Sequence, residues 1–171
     1  MADMDSAFTK FDDSIKLSKA KRSELCLSRD AIRETVRSSF SDSDRSVKFC
    51  MQGSVAMSTT VNPIDEDDYD LDDGAYLCDY EDADEGEWPS TSAAHKWVKD
   101  AVEGQTSASP KDKNTCVRIP YKHGYHIDMP IYIMKGGTAH LAHKSQGWVK
   151  SDAKEFRNWF SDRCKPNNGQ L

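Results

Sequence analysis

The chain has 171 residues, 37% of them hydrophobic and 30% charged, with a formal net charge of −6. That is enough for one globular domain with its own core, and it holds no apolar run near the roughly 20 residues of a membrane span. The acidic, apolar-poor start from Met1 to Lys10 is no secretory signal, and five cysteines without a CxxC pair fit reduced thiols better than disulfides or a zinc site. A cytoplasmic protein without membrane contact is expected.

Residues 20 to 40 predict a helix. Leu25, Ile32, Val36 and Phe40 recur at helical spacing. Arg29, Arg33 and Arg37 line a second stripe, interleaved with Asp30 and Glu34. A solvated helix face explains that stripe better than a nucleic-acid surface, so nucleic acid is not an expected partner.

Val47 to Gln52 predicts a short strand that Gly53-Ser54 ends. From Phe49 to His95 there are thirteen Asp and Glu and no Lys or Arg, so this third holds all of the acidic excess. Its outer part, Asp79 to Glu87, predicts a solvated, partly mobile loop. Its inner part, Asp65 to Asp73, runs into a strand expected over Asp68 to Leu77. Carboxylates fixed in a sheet need a cation, and no basic side chain is near in sequence; bound Mg²⁺ is the natural candidate.

Pro89-Ser90-Thr91 predicts the start of a helix through Val102, with Gly104 as its stop. A polar loop follows over 105 to 113. Thr115 to Tyr121 and Tyr125 to Met134 predict a hairpin around Lys122-His123-Gly124. Ser151 or Asp152 caps a last helix containing Phe156, Trp159 and Phe160, ahead of a polar tail. Helix, strands, helix, hairpin and helix in that order predict an α+β domain with a mixed or antiparallel sheet flanked by helices.

Three features carry chemistry. Alternation along a strand puts Asp70 and Asp72 on one face, about 7 Å apart at the backbone, with Leu71 on the other. Two such carboxylates repel unless a metal or proton lies between them, and together they can hold one or two Mg²⁺ ions. In an acidic stretch, however, most Asp-x-Asp pairs are only solvated. Gly53-Ser54 lets a backbone approach a phosphate closely, or is an ordinary turn. Asp128 lies opposite Ile127, Met129, Ile131 and Ile133 on an otherwise apolar strand. It is either a partnered buried charge or the wet face of an edge strand; Pro130 suits an edge position or a bulge.

The hairpin register adds Arg118. With a three-residue loop, Tyr121 opposes Tyr125, and positions summing to 246 pair across the strands. Arg118 then faces Asp128, with Cβ atoms about 5 Å apart. It is either a structural ion-pair partner or a donor released toward a triphosphate when metal takes Asp128. His123 with His126 and His140 with His143 form His-x-x-His pairs, but no cysteine pair joins them. Surface or loop positions are expected and zinc is not. The four tryptophans are expected to be packing residues.

The string QGSVAMSTTVNPIDEDDYDLDDGAYL, with HIDMPIY some fifty residues on, resembles the bacterial cGAS/DncV-like nucleotidyltransferases. These belong to the polymerase-β-like superfamily and make cyclic oligonucleotides in anti-phage defence. Their Gly-Ser, Asp-x-Asp and third Asp fall here on Gly53-Ser54, Asp70-x-Asp72 and Asp128. The resemblance extends over the helix SRDAIRETVRSSF and the Trp148 to Phe160 region. It implies a polymerase-β-like core at 47–150, after a helical segment at 1–46 and before the start of a helical region at 151–171. It further implies that Asp70, Asp72 and Asp128 are catalytic and hold Mg²⁺ or Mn²⁺. Gly53 and Ser54 would then grip the donor phosphates, with Gln52 beside them and Arg118, from the register, completing the expected nucleotide-binding set; ATP and GTP are the commonest substrates implied. Regulatory proteins of a defence operon are the implied partners.

Members of that family are roughly twice as long and carry a second, mostly helical lobe. This chain ends about where that lobe would begin, so a truncated form with the lobe largely absent is expected. Two other functions remain open at this point. One is a non-catalytic nucleotide- or partner-binding fragment; the other is a stand-alone nucleotidyltransferase that modifies RNA or protein.

Overall fold

The computed structural model describes residues 4–63 and 68–165. Residues 64–67 at the start of the inner acidic stretch, the first three residues and the tail from 166 lie outside them. Five helices and seven strands follow in chain order: α1 (Met4–Ile15), α2 (Lys19–Ser41), β1 (Val47–Gln52), α3 (Gly53–Met57), β2 (Tyr69–Leu77), α4 (Thr91–Val102), β3 (Lys111–Asp112), β4 (Cys116–Tyr121), β5 (Tyr125–Lys135), β6 (Thr138–His143), β7 (Gly147–Lys150) and α5 (Ala153–Arg163). Among the described residues, no helix is long and apolar enough to cross a membrane.

Helix α2 begins where the Ser18 side chain accepts from the Lys21 amide. Its buried stripe is the expected one: Leu25, Ile32, Val36 and Phe40 are at most 1% exposed. Ser90 caps α4 in the same way, through the Ala93 amide. Asp152 is the cap of α5, its side chain accepting from the Glu155 amide at 2.8 Å.

The strands form one mixed sheet in the order β1-β2-β5-β4-β3, with β6 added to β5 and β7 to β6. β2 and β5 are parallel and the other pairs antiparallel. β5 is therefore central, not an edge strand. Its first half pairs with β4, its second half with β6, and β2 runs along its other side. Pro130 is accommodated by a gap: the β2–β5 pairs jump from Asp72–Asp128 to Ala75–Ile131 without any change of register. A proline has no N–H to give to such a ladder.

The two faces of the sheet differ sharply. Leu71, Ala75, Ile119, Ile127, Met129, Ile131 and Ile133 are fully buried in the main core with α2 and α4. Each large aliphatic side chain there contributes about 1.5–3 kcal/mol. A one-residue slip of β5 would reverse its faces and forfeit several such terms at once. The core thus dictates which side chains stand on the other face: Asp70, Asp72, His126 and Asp128 among them. That face has a smaller apolar cluster of Tyr76, Tyr132 and Ala139, with Tyr76 stacked on Tyr132.

Three details depart from expectation. The arginine stripe of α2 is not simply solvated: Arg33 ion-pairs with Asp73, whose side chain is 0% exposed. Arg33 and Arg37 also lie over the Phe49 ring. The acidic loop is solvated but pinned. Ser46 donates to Asp79 through its amide and hydroxyl, and Asp84 and Glu87 close a capping box. Finally, Trp88, Trp97 and Trp148 join the core, but Trp159 is 52% exposed on α5.

Candidate functional site

The parallel register of β2 and β5 places Asp70 beside His126 and Asp72 beside Asp128. Four polar side chains thereby share one patch of the face opposite the core. From the far side of β5, Arg118 pairs with Asp128 in the register that the hairpin predicts. Its Nε and one terminal nitrogen donate to the two carboxylate oxygens at 2.8 and 2.7 Å, a bidentate geometry that suits guanidinium. These bonds hold the Arg118 guanidinium above its ordinary value.

Among the described residues, Asp72 has no such partner. Burial, then the neighbouring charges of Asp70 and Asp128, push its carboxyl up to about 6, against a smaller opposing pull from Arg118. Burial and like charges both favour the neutral carboxyl, and a cation bound beside it would favour the charged form. The chemistry of the donor set agrees. Asp70, His126 and Asp128 each offer a ligand atom within 4.8 Å of one another, so these residues could hold a metal ion. Among them, His126 Nε2 is buried without a hydrogen-bond partner.

Gly53, the first residue of α3 after β1, closes the patch. Its φ is +65°, and a Cβ there would come within 2.0 Å of Asp72 Oδ2. Glycine is required both for the turn and for the close approach. Gly53→Ala should therefore displace the Asp72 carboxylate and destabilise the fold by about 1–3 kcal/mol. A urea melt tests this, and an unchanged midpoint would refute the contact.

Ser54 lies one residue further on, its hydroxyl accepting from Thr60 Oγ1 at 3.0 Å, in a depression shared with Asp68 and Asp70. Gln52 is only 5% exposed and accepts from the Tyr132 hydroxyl at 3.1 Å. It crosses over Gly74, where a Cβ would meet its Nε2 at 2.1 Å. Gln52 therefore supports the patch from below, although it lines the adjoining cleft. That cleft, about 380 Å³, runs from Gln52, Gly53, Asp72 and Asp128 to Phe156 and Arg157 of α5.

All seven candidates named from the sequence thus lie on or against one patch. His126 is the addition. It is not a surface residue but 7% exposed, with Nε2 4.0 Å from Asp70 and 3.9 Å from Asp128. Burial depresses its basicity, against the nearby carboxylates. The signal for it was its place two residues before Asp128, hence on the same strand face. His140 also departs from expectation, being 7% exposed and edge-on to Trp88.

Residues 47–132, which contain every one of these candidates, match the family described as "Cyclic GMP-AMP synthase DncV-like, nucleotidyltransferase domain". A cyclic GMP-AMP synthase of Escherichia albertii is 29% identical over 152 residues, covering 85% of this chain and 32% of that protein. Vibrio cholerae DncV cyclic AMP-GMP synthase, solved with the linear intermediate 5′ pppA(3′,5′)pG, superposes with a TM-score of 0.73 at 19% identity, over 89% of this chain and 57% of that one. The Bradyrhizobium diazoefficiens CD-NTase CdnG, solved with GTP, gives a TM-score of 0.73 at 21% identity, over 88% and 44%. The chain thus spans about a third of the curated relative's length and about half of these solved chains.

Proposed function

The chain belongs to the DncV-like nucleotidyltransferase family, and from that premise we propose that it joins nucleoside triphosphates into a cyclic di- or oligonucleotide messenger. ATP and GTP are the proposed substrates, anti-phage defence in the cytoplasm the proposed setting, and proteins of the same operon the proposed regulators. The catalytic core is assigned to 47–150, flanked by 1–46 and 151–171. One observation carries the reading: Asp70, Asp72 and Asp128 converge on one sheet face with Gly53 flush against Asp72.

In this proposal Asp70, Asp72 and Asp128 hold Mg²⁺ or Mn²⁺. Bound there, divalent cations would neutralise the donor triphosphate and lower the pKa of the attacking ribose hydroxyl. Gly53 and Ser54 admit the donor phosphates beside the carboxylates, because no side chain stands on Gly53. Gln52 fixes the floor through Tyr132. Arg118 neutralises Asp128 until metal competes for it, and its fork of donors is then available to phosphate oxygens. Attack at the donor's α-phosphorus releases pyrophosphate, and a second transfer closes the ring.

Thermal melts test the binding half. ATP or GTP should raise the melting temperature only with Mg²⁺ or Mn²⁺. At a hundredfold excess over Kd the gain is about 2.7 kcal/mol, or roughly 5–10 °C for a chain of this size. No shift with any of the four triphosphates plus metal would overturn the reading. Labelled triphosphates followed by chromatography test turnover. Metal-dependent binding without product would favour the nucleotide-binding alternative, and transfer to RNA or protein the other.

A further inference from the structure

We propose that His126 is itself a ligand of the divalent cation held by Asp70 and Asp128, and that its imidazole tilts this site toward Mn²⁺ over Mg²⁺. The proposal rests on the nucleotidyltransferase reading of this face and names a preference that the three-carboxylate pattern does not contain.

His126 is 7% exposed, and its Nε2 has no hydrogen-bond partner among the described residues. Leaving such a group unsatisfied is unfavourable, and a cation at the lone pair would offset that cost. That nitrogen points between two carboxylates, 4.0 Å from Asp70 Oδ2 and 3.9 Å from Asp128 Oδ2. These gaps are too long for hydrogen bonds. They suit donors around one six-coordinate ion, which stand about 3.0–4.2 Å apart when each bond is near 2.1 Å.

The position is also fixed. Asp70 and His126 are registered partners on adjacent parallel strands, and fully buried Ile127 anchors the backbone beside them. The ring's other nitrogen lies 3.9 Å from Asp68 Oδ2. A small closure there would let Asp68 orient the ring, as carboxylates commonly do for ligating histidines. Asp72, which has no contact with the ring among these distances, stays available to the triphosphate side of the patch.

The preference follows from ligand chemistry. Mg²⁺ takes oxygen donors and sheds water reluctantly. Imidazole suits the transition metals, and two carboxylates with one imidazole make an oxygen-rich set that Mn²⁺ accepts readily.

Electron spin-echo spectroscopy of Mn²⁺ bound to the wild-type chain should show modulation from a directly coupled ¹⁴N nucleus. His126→Gln, with His126→Asn as a second replacement, should abolish it. By calorimetry the same variants should lose at least about tenfold in Mn²⁺ affinity while Mg²⁺ affinity changes by less than about twofold. Absence of nitrogen modulation in the wild type, or equal losses for both ions, would overturn the proposal and leave the nucleotidyltransferase reading intact. If neither ion bound the wild-type chain, both would fall together.

Discussion

Arg33→Ala is expected to destabilise the chain by about 3–5 kcal/mol at neutral pH, because it strands a buried charge. Asp73 lies on the core side of β2 with its side chain 0% exposed, and Arg33 reaches it from α2, with Nε 2.7 Å from Oδ2 and a second nitrogen on Oδ1. Burial pushes the Asp73 carboxyl up, and the Arg33 bonds pull it back. Without Arg33 the upward push of burial is opposed only by the weaker charge of Arg29. Asp73 in the variant then folds with a raised pKa, so the folded state holds the extra proton. The sign follows: the deficit is largest at neutral pH and shrinks as pH falls and the carboxyl is neutralised. Urea melts of both proteins at pH 7 and pH 5 measure it. A deficit under about 1 kcal/mol, or one independent of pH, would show that the pair does not support the fold.

Asp70→Asn combined with Asp72→Asn should do the opposite to stability and far more to chemistry. Nucleotidyl transfer should fall by at least about a thousandfold, the equivalent of roughly 4 kcal/mol of lost transition-state stabilisation. The metal-dependent melting shift with ATP or GTP should vanish with it. In the absence of metal the double variant should melt higher than the wild type, by about 2–4 °C for each kcal/mol of repulsion removed. The reason is that Asp72 carries a carboxyl raised from 3.8 to about 6. In the wild type its contribution to stability is present below pH 4 and is lost as pH rises through 6, so the gain from the double variant should appear above that range. Product formation by the variant, or a lower melting temperature at neutral pH without metal, would refute the assignment.

How much of this was legible depends on whether one segment or two determine a feature. The stripe of α2 is set by its own periodicity, and Leu25, Ile32, Val36 and Phe40 are buried as expected. The Arg118–Asp128 pair follows from the length of one hairpin loop. The facing of Asp70 and Asp72 follows from strand alternation. By contrast, Arg33 meets Asp73 across 40 positions, and nothing local to the arginine stripe distinguishes Arg33 from a solvated neighbour. Alternation along its own strand puts His126 on the Asp128 face, but only β2, lying alongside, brings Asp70 against it. Pro130 suggested an edge, because the ladder gap that tolerates it arises only once β2 is alongside. Two misses were local. Gly136 and Gly137, both at positive φ, join β5 to β6 in a two-residue turn and could have announced the β6–β7 extension. Helix α1 falls within the helical segment implied at 1–46, but with Phe8 and Phe11 at 65% and 60% exposure no buried stripe gave its bounds.

The β2–β5 pairing has a kinetic consequence. Among the described strands, every other ladder joins consecutive strands, but Asp70 and His126 are 56 positions apart (126 − 70). Closing so long a loop is slow relative to forming the flanking hairpins, and its entropic cost grows by about 0.6 kcal/mol with each doubling of length. The hairpin of β4 and β5 can therefore form before the carboxylates of β2 arrive beside it. Refolding followed by tryptophan fluorescence should show an earlier phase in which Mn²⁺ is not yet bound. Competence to bind the ion should appear only with the last phase, making cation capture a clock for the docking of the chain's two halves.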